Sequence, residues 1–249
     1  MRRPPLPHTT DRHWAWFLDV DGTLLELEAD PELVRADERL LRLLARLGSN
    51  YGGAVALISG RSLDQLDRIF GHYKPAAAAS HGLEQRLPDG QVLHRATAIN
   101  PDSVGRVVEF AERNPGLTVE QKPFSVGIHY RARPELESAV VEAMERINAE
   151  LENDSLLMRG KMVVELVPAV ANKGSAIRSF METAPFAGRR PVFIGDDVTD
   201  EYGFAVVNEL SGLSIRVGST AGSAAEWQLR NVAELRAWLQ SAADAAVAC

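Results

Sequence analysis

Cysteine is almost missing from this chain: of 249 residues only Cys249 is one, and it is the last. An intramolecular disulfide and a cysteine metal site are thereby excluded, and the usage fits a reducing cytoplasm. Long apolar runs are missing too. Nothing approaches the roughly 18 consecutive apolar residues of a membrane-crossing helix, so no membrane association is expected. The start, Met1-Arg2-Arg3-Pro4-Pro5, carries charge, but the apolar stretch behind it is short, is interrupted by His13 and ends in Asp19; it does not make a signal peptide. Basic charge is also in deficit. With 27 Lys and Arg against 34 Asp and Glu the net charge is -7, and no RNP, zinc-finger or basic-helix pattern occurs, which argues against a broad nucleic-acid surface. Any anion must be held locally. No internal repeat or low-complexity tract stands out, apart from the Ala-rich C-terminal end.

What is present is the composition of a globular α/β protein, 45% hydrophobic and 24% charged, enough for one large domain or two smaller ones. The apolar run Trp14 to Leu18 reads as a strand. Leu40, Leu41, Leu44 and Leu47 recur at helical spacing, with Gly48 as the expected stop. Ala54 to Ile58 is a second continuous apolar run, of the kind that suits a parallel strand buried on both faces. Ser62 and Gln65 form a capping-box pattern that opens a helix through Leu63, Leu66 and Ile69. The alternation returns late, with a helix over Lys173 to Thr183, a strand over Pro191 to Ile194 ending in Gly195, and a strand over Leu213 to Val217. A doubly wound parallel sheet is the natural solution.

The middle has a different period. Amphipathic helices are expected over Val104 to Arg113 and Leu136 to Leu151, between paired strand-like segments. Phe124 to Arg131 alternates, with Ser125, His129 and Arg131 on one face and apolar residues on the other, and its neighbour presents Glu120 and Lys122 together. That is the period of a half-buried antiparallel sheet backed by helices. The expected organisation is a catalytic core from residues 1–86 and 168–249, interrupted by an α+β cap over 87–167.

The chemistry collects where strands end, which is where open α/β sheets bind ligands. Asp19 and Asp21 leave the first strand two residues apart and can point the same way, with Gly22 allowing a sharp turn. Two carboxylates aimed at one point need a cation, a shared proton, or division into nucleophile and acid/base. A calcium loop of the EF-hand type does not fit, because it wants Gly at position six and Glu at twelve, where this chain has Leu24 and Asp30. Ser59-Gly60-Arg61 follows the second strand, and Gly195-Asp196-Asp197-Val198-Thr199-Asp200-Glu201 follows a later one. Lys173 comes just after Asn172, a good helix N-cap, so its ammonium meets the positive end of a helix dipole at a cost of about 0.3–1 kcal/mol. Something negative is expected there. A phosphate would fill that place and Ser59 could donate to the same oxygens. Mg²⁺ and a phosphate monoester together satisfy the carboxylates, the hydroxyl and the ammonium.

The set DVDGT, SGR, Asn172-Lys173-Gly174 and GDDVTDE resembles the four motifs of the haloacid dehalogenase superfamily of aspartate-nucleophile phosphatases. With SHGLE at Ser80 to Glu84, the Glu120, Lys122, His129, Arg131 pattern and Val164 to Pro168, the chain is similar to trehalose-6-phosphate phosphatases from Trp14 to Leu239. That resemblance implies a Rossmann-like core with an inserted cap, and a Mg²⁺-dependent hydrolysis of a sugar phosphate in the cytoplasm. Asp19 would be the nucleophile, Asp21 the acid/base, and Ser59 and Lys173 the phosphate holders. Asp19, Asp21 through its main-chain carbonyl, and Asp196 would surround the metal, with Asp197 or Asp200 as a further or indirect ligand. Gly60, Arg61 and Asn172 would line the substrate site, and Glu120, Lys122, His129, Arg131 and Glu165 would read the sugar. A cap that closes would exclude water until the sugar is bound. The expected state is a monomer, with a trehalose-phosphate synthase as candidate partner. The alternatives are phosphatases of sucrose phosphate or of glucosyl- or mannosyl-phosphoglycerate, and a non-catalytic domain that only binds a sugar phosphate.

Overall fold

The structure is a computed structural model that describes residues 3–5, 13–28, 30–95, 99–150, 155–169, 172–219 and 222–245. Cys249 and Leu151, the expected end of the second middle helix, lie outside the described residues. In chain order the elements are β1 (Trp14–Leu18), α1 (Glu38–Asn50), β2 (Val55–Ile58), α2 (Leu63–Phe70), β3 (Ala76–Ala79), β4 (Glu84–Arg86) and β5 (Val92–His94). Then come α3 (Pro101–Glu112), β6 (Thr118–Lys122), β7 (Ser125–His129), α4 (Glu137–Ala149), β8 (Ser155–Gly160) and β9 (Val163–Pro168). The chain ends with α5 (Lys173–Met181), β10 (Arg190–Gly195), α6 (Glu201–Glu209), β11 (Leu213–Val217), β12 (Trp227–Leu229) and α7 (Val232–Ala245). Two compact units result, one reaching to Leu93 and resuming at Asn172, the other running from His94 to Ala171.

The first unit holds an eight-stranded sheet in the order β12-β11-β10-β1-β2-β3-β4-β5. From β12 to β3 the pairs are parallel, and β3 with β4 is antiparallel. The continuous apolar strands are explained by burial on both faces. Along β1, Trp14, Trp16 and Leu18 join a core with the leucines of α1 and with Leu235, Trp238 and Leu239 of α7. Ala15 and Phe17 point the other way, into a core with Ile177 and Phe180 of α5 and Phe204 of α6. Period two on a doubly covered sheet leaves no polar face to show in the sequence.

Two local expectations are corrected. α1 runs through Gly48 to Asn50, and its end is capped by Tyr51, whose N–H donates to the Leu47 carbonyl at 3.1 Å. A glycine in the last turn lowers helix propensity without stopping a helix whose leucines are already packed. α5 stops at Met181 rather than Thr183. The expected borders at 86/87 and 167/168 fall before β5 and inside β9.

The second unit is an antiparallel sheet in the order β6-β7-β9-β8. Val126 and Ile128 of β7 and Val164 and Leu166 of β9 form its core with Val107 of α3 and Val140 and Met144 of α4. Among the described residues no helix is long and apolar enough to cross a membrane.

Candidate active site

Parallel pairing brings the carboxyl ends of β1 and β10 together: Leu18 lies beside Ile194, and the Asp19 N–H donates to the Ile194 carbonyl at 2.9 Å. The two acidic motifs, Asp19 to Thr23 and Gly195 to Glu201, therefore emerge side by side. Ligand oxygens of Asp19, Asp196 and Asp200 lie within 4.8 Å of one another. Gly22, at φ +78°, makes that approach possible, since a Cβ there would fall 2.2 Å from Asp196 Oδ2. Thr23 Oγ1 donates to Asp196 Oδ1 at 3.3 Å.

Lys173 opens α5 behind an Asn172 cap, whose Oδ1 accepts the N–H groups of Gly174 and Ser175 at 2.7 and 3.3 Å. The anions expected beside this ammonium are supplied by the protein itself. Lys173 Nζ donates to Asp19 Oδ1 at 2.8 Å and to Asp200 Oδ1 at 2.6 Å, all three groups being buried. Burial alone would pull the ammonium down, but Asp19 and Asp200 outweigh it and hold Lys173 above its ordinary value. Burial pushes the Asp19 carboxyl well above its usual range, Asp200 and Asp196 add to that push, and Lys173 opposes it. One ammonium among three carboxylates leaves negative charge uncompensated, and the three-carboxylate donor set, all oxygen, is what a hard divalent cation takes.

Of the two carboxylates that the acidic motif left open, Asp200 is the one that lies in the cluster. Its Oδ1 accepts from Lys173, and its Oδ2 accepts the N–H groups of both Asp196 and Asp197 at 2.9 Å. Asp197 instead turns its carboxylate to the Val198 N–H at 2.8 Å, on the exposed side of the turn, and is not part of the three-carboxylate cluster.

The SGR loop is gripped by the SHGLE segment. Ser80 and His81 donate their N–H groups to the carbonyls of Arg61 and Ser59 at 2.7 and 3.0 Å. Both adopt φ values near +50°, 48° and 57°, which side chains other than glycine rarely do, and Glu84 Oε2 accepts from Ser80 Oγ at 2.8 Å. Gly60 is required because a Cβ there would lie 2.6 Å from the His81 ring. Ser59 Oγ accepts the Arg61 N–H at 3.1 Å, which leaves the hydroxyl proton to be donated. Arg61, expected to face the substrate, makes a two-bond fork with Asp21: Nε to Oδ2 at 2.6 Å and Nη2 to Oδ1 at 2.7 Å.

In the second unit, register places Glu120 of β6, Gly127 of β7 and Glu165 of β9 in one row, with Lys122 opposite Ser125 in the next. Lys122 Nζ donates to Glu165 Oε1 at 2.8 Å, Ser125 Oγ donates to the same oxygen at 2.6 Å, and His129 Nε2 lies 3.0 Å from Glu120 Oε2. Burial works against the Lys122 ammonium, yet Glu165 and Glu120 hold it above its ordinary value. Ser125 was expected on a half-open face and is buried, because its hydroxyl is spent on Glu165. Arg131 lies past the end of β7, in the following turn and exposed, rather than on the strip.

Thr23 and Glu84, which bond Asp196 and Ser80, and Arg216 and Glu201, which bond each other, are residues that the sequence does not single out. Arg216 had a usable signal, an arginine inside the apolar strand Leu213–Val217; Thr23 and Glu84 had none beyond membership of a motif.

A profile of the trehalose-phosphatase family matches residues 17–233. The chain is 40% identical over 240 residues to trehalose-6-phosphate phosphatase of Escherichia coli, covering 95% of this chain and 90% of that one. It is 43% identical over 207 residues to a probable trehalose-phosphate phosphatase of Sinorhizobium fredii, covering 83% and 78%. Its fold is similar to a solved C-terminal domain of a trehalose-6-phosphate phosphatase from C. albicans, with a TM-score of 0.84 at 23% identity over 94% and 93% of the two chains. On a match of this extent the chain belongs to the trehalose-phosphatase family.

Proposed function

We propose that this protein hydrolyses trehalose 6-phosphate to trehalose and inorganic phosphate, with Asp19 as the nucleophile. The observation that carries the mechanism is the buried carboxylate of Asp19, fixed at 2.8 Å from the Lys173 ammonium and with an oxygen within 4.8 Å of one of Asp196. Asp19 attacks phosphorus as the bond from phosphorus to the sugar oxygen breaks, and Asp21 gives that oxygen a proton. Water then attacks the phosphorus of the aspartyl phosphate, Asp21 takes its proton back, and the Asp19 carboxylate is released with phosphate. The Arg61 guanidinium, forked onto Asp21 without substrate, is suited to a phosphate oxygen when one is bound. Ser59 and Lys173 hold the oxygens on which charge spreads.

The donor set fits Mg²⁺, which Asp19, Asp196 and the main-chain carbonyl of Asp21 would hold. When bound it would neutralise the carboxylate crowd and the phosphoryl oxygens. Asp200, whose two oxygens are already engaged by Lys173 and two main-chain N–H groups, keeps the ligands in place. Glu120, Lys122 and Glu165 are assigned to the sugar hydroxyls, His129 to holding Glu120, and Arg131 to the sugar's periphery. The single cysteine suits a cytoplasmic site of action.

Phosphate release measured with Mg²⁺ over trehalose 6-phosphate, sucrose phosphate and glucosyl- and mannosyl-phosphoglycerate is expected to favour the trehalose ester. No preference among them would sink the substrate assignment. Asp19→Asn is expected to lower turnover by about 10³-fold or more, as removal of a nucleophile does. If wild type and variant alike release no phosphate, the chain binds a sugar phosphate without cleaving it.

A further inference from the structure

Arg216 has no part in the chemistry above, yet it is 4% exposed and lies in β11 beside Gly195, the last residue before the acidic turn. A guanidinium buried in a parallel sheet is costly unless acceptors meet its donors, and in Arg216 the two terminal nitrogens are met while Nε finds no hydrogen-bond partner among the described residues. Here Nη1 donates to Glu201 Oε1 at 2.7 Å and Nη2 donates to the main-chain carbonyl of Asp196 at 2.5 Å. Glu201 is itself fixed from the far side, because its Oε2 accepts the Ala224 N–H at 2.7 Å.

We infer that Arg216 is a positioning residue for the metal site: it fixes the peptide joining Asp196 to Asp197 and thereby the direction of the Asp196 carboxylate. That peptide is gripped at both ends. Its carbonyl accepts from Arg216, and its N–H, that of Asp197, donates to Asp200 Oδ2 at 2.9 Å. The Asp196 N–H donates to the same Asp200 oxygen at 2.9 Å. With both flanking peptides held, the Asp196 Cα cannot swing, and Gly22 and Thr23 confine the carboxylate that projects from it. The ion pair with Glu201 joins β11 to α6, and the second bond, to the Asp196 carbonyl, is the one that reaches the metal site. The fork geometry matters, since one planar group must reach two acceptors in fixed directions, which a lysine cannot reproduce.

The inference rests on the reading of Asp19 and Asp196 as Mg²⁺ ligands, and the test separates the two. Mg²⁺ is titrated calorimetrically into the whole protein without substrate, for wild type, Arg216→Lys and Glu201→Gln. Arg216→Lys is expected to weaken Mg²⁺ binding by about 10–100-fold, the usual effect of removing a partner behind a metal ligand. Turnover should be recovered as Mg²⁺ is raised to saturation, with KM for trehalose 6-phosphate little changed. Glu201→Gln should show a smaller loss of the same kind, and it carries the test if Arg216→Lys does not fold. A variant that folds and binds Mg²⁺ as tightly as wild type overturns the inference, whatever happens to its melting temperature. A wild type that binds no Mg²⁺ overturns the metal assignment itself, and the role of Arg216 falls with it.

Discussion

Lys173 sits where a helix dipole disfavours a cation, and the two carboxylates that bracket it explain why it stays. Removing the ammonium leaves Asp19 and Asp200 buried together without their cation, a loss of about 3–5 kcal/mol for a buried pair broken on one side. Lys173→Met is therefore expected to lower the urea midpoint strongly in metal-free protein. The direction of the Asp19 shift adds a pH signature. Its carboxyl is held above the ordinary 3.8, so the folded state binds a proton that the unfolded chain has already lost. Metal-free stability accordingly falls as pH rises from that ordinary value through the raised one, and is flat above it. Urea melts of wild type and Asp19→Asn across this range check the sign: the variant should lack the decline. A wild-type curve that rises instead would contradict the raised carboxyl.

At the scale of elements, α1 depends on a cap that also ties it to α7. Asp37 Oδ1 accepts the Leu40 N–H at 2.8 Å and Oδ2 accepts from Arg236 Nη1 at 2.5 Å. The Leu40 bond first, and then Arg236, hold the Asp37 carboxyl below its ordinary 3.8. Asp37→Ala should cost about 1 kcal/mol, in full above that value and progressively less as pH falls through the depressed one. A deficit that stays constant into acid would mean that the carboxylate charge contributes nothing. The elements themselves were legible because each carries its own period: unbroken apolar runs for strands covered twice, and leucine spacing for α1. The motifs at the strand ends were legible for the same reason, since parallel pairing of β1 with β10 follows from the fold class. What escaped was decided by partners distant in sequence. Ser125 reads as a polar residue of a half-open strand until Glu165, forty residues on, takes its hydroxyl. The fork from Arg61 to Asp21 joins residues forty apart, which neither motif shows on its own. Asp197 and Asp200 read alike until the turn that follows β10 aims one at its own cap and the other at Lys173.

For the whole molecule, the uncompensated charge at the strand ends of the first unit makes folding and metal binding one equilibrium. A ligand that binds only the folded state stabilises it by RT ln(1 + [L]/Kd), about 2.7 kcal/mol at a hundredfold excess over Kd. A hard divalent cation is what this carboxylate cluster suits, Mg²⁺ being the one proposed, and the benefit should be local, because stability is distributed unevenly over a structure. Hydrogen exchange with and without saturating Mg²⁺ is expected to slow in β1, in the turn through Leu25, in β10 and in the segment through Asp200. The sheet of the second unit should exchange at unaltered rates in the absence of sugar phosphate. Asp196→Asn should abolish the protection, because it removes a ligand while leaving the Asp200 clamp on its main chain in place. Protection appearing chiefly in β6, β7 and β9 would instead put the cation on Glu120 and Glu165. That outcome would move the metal to the second unit and leave Lys173 as the principal charge partner of Asp19.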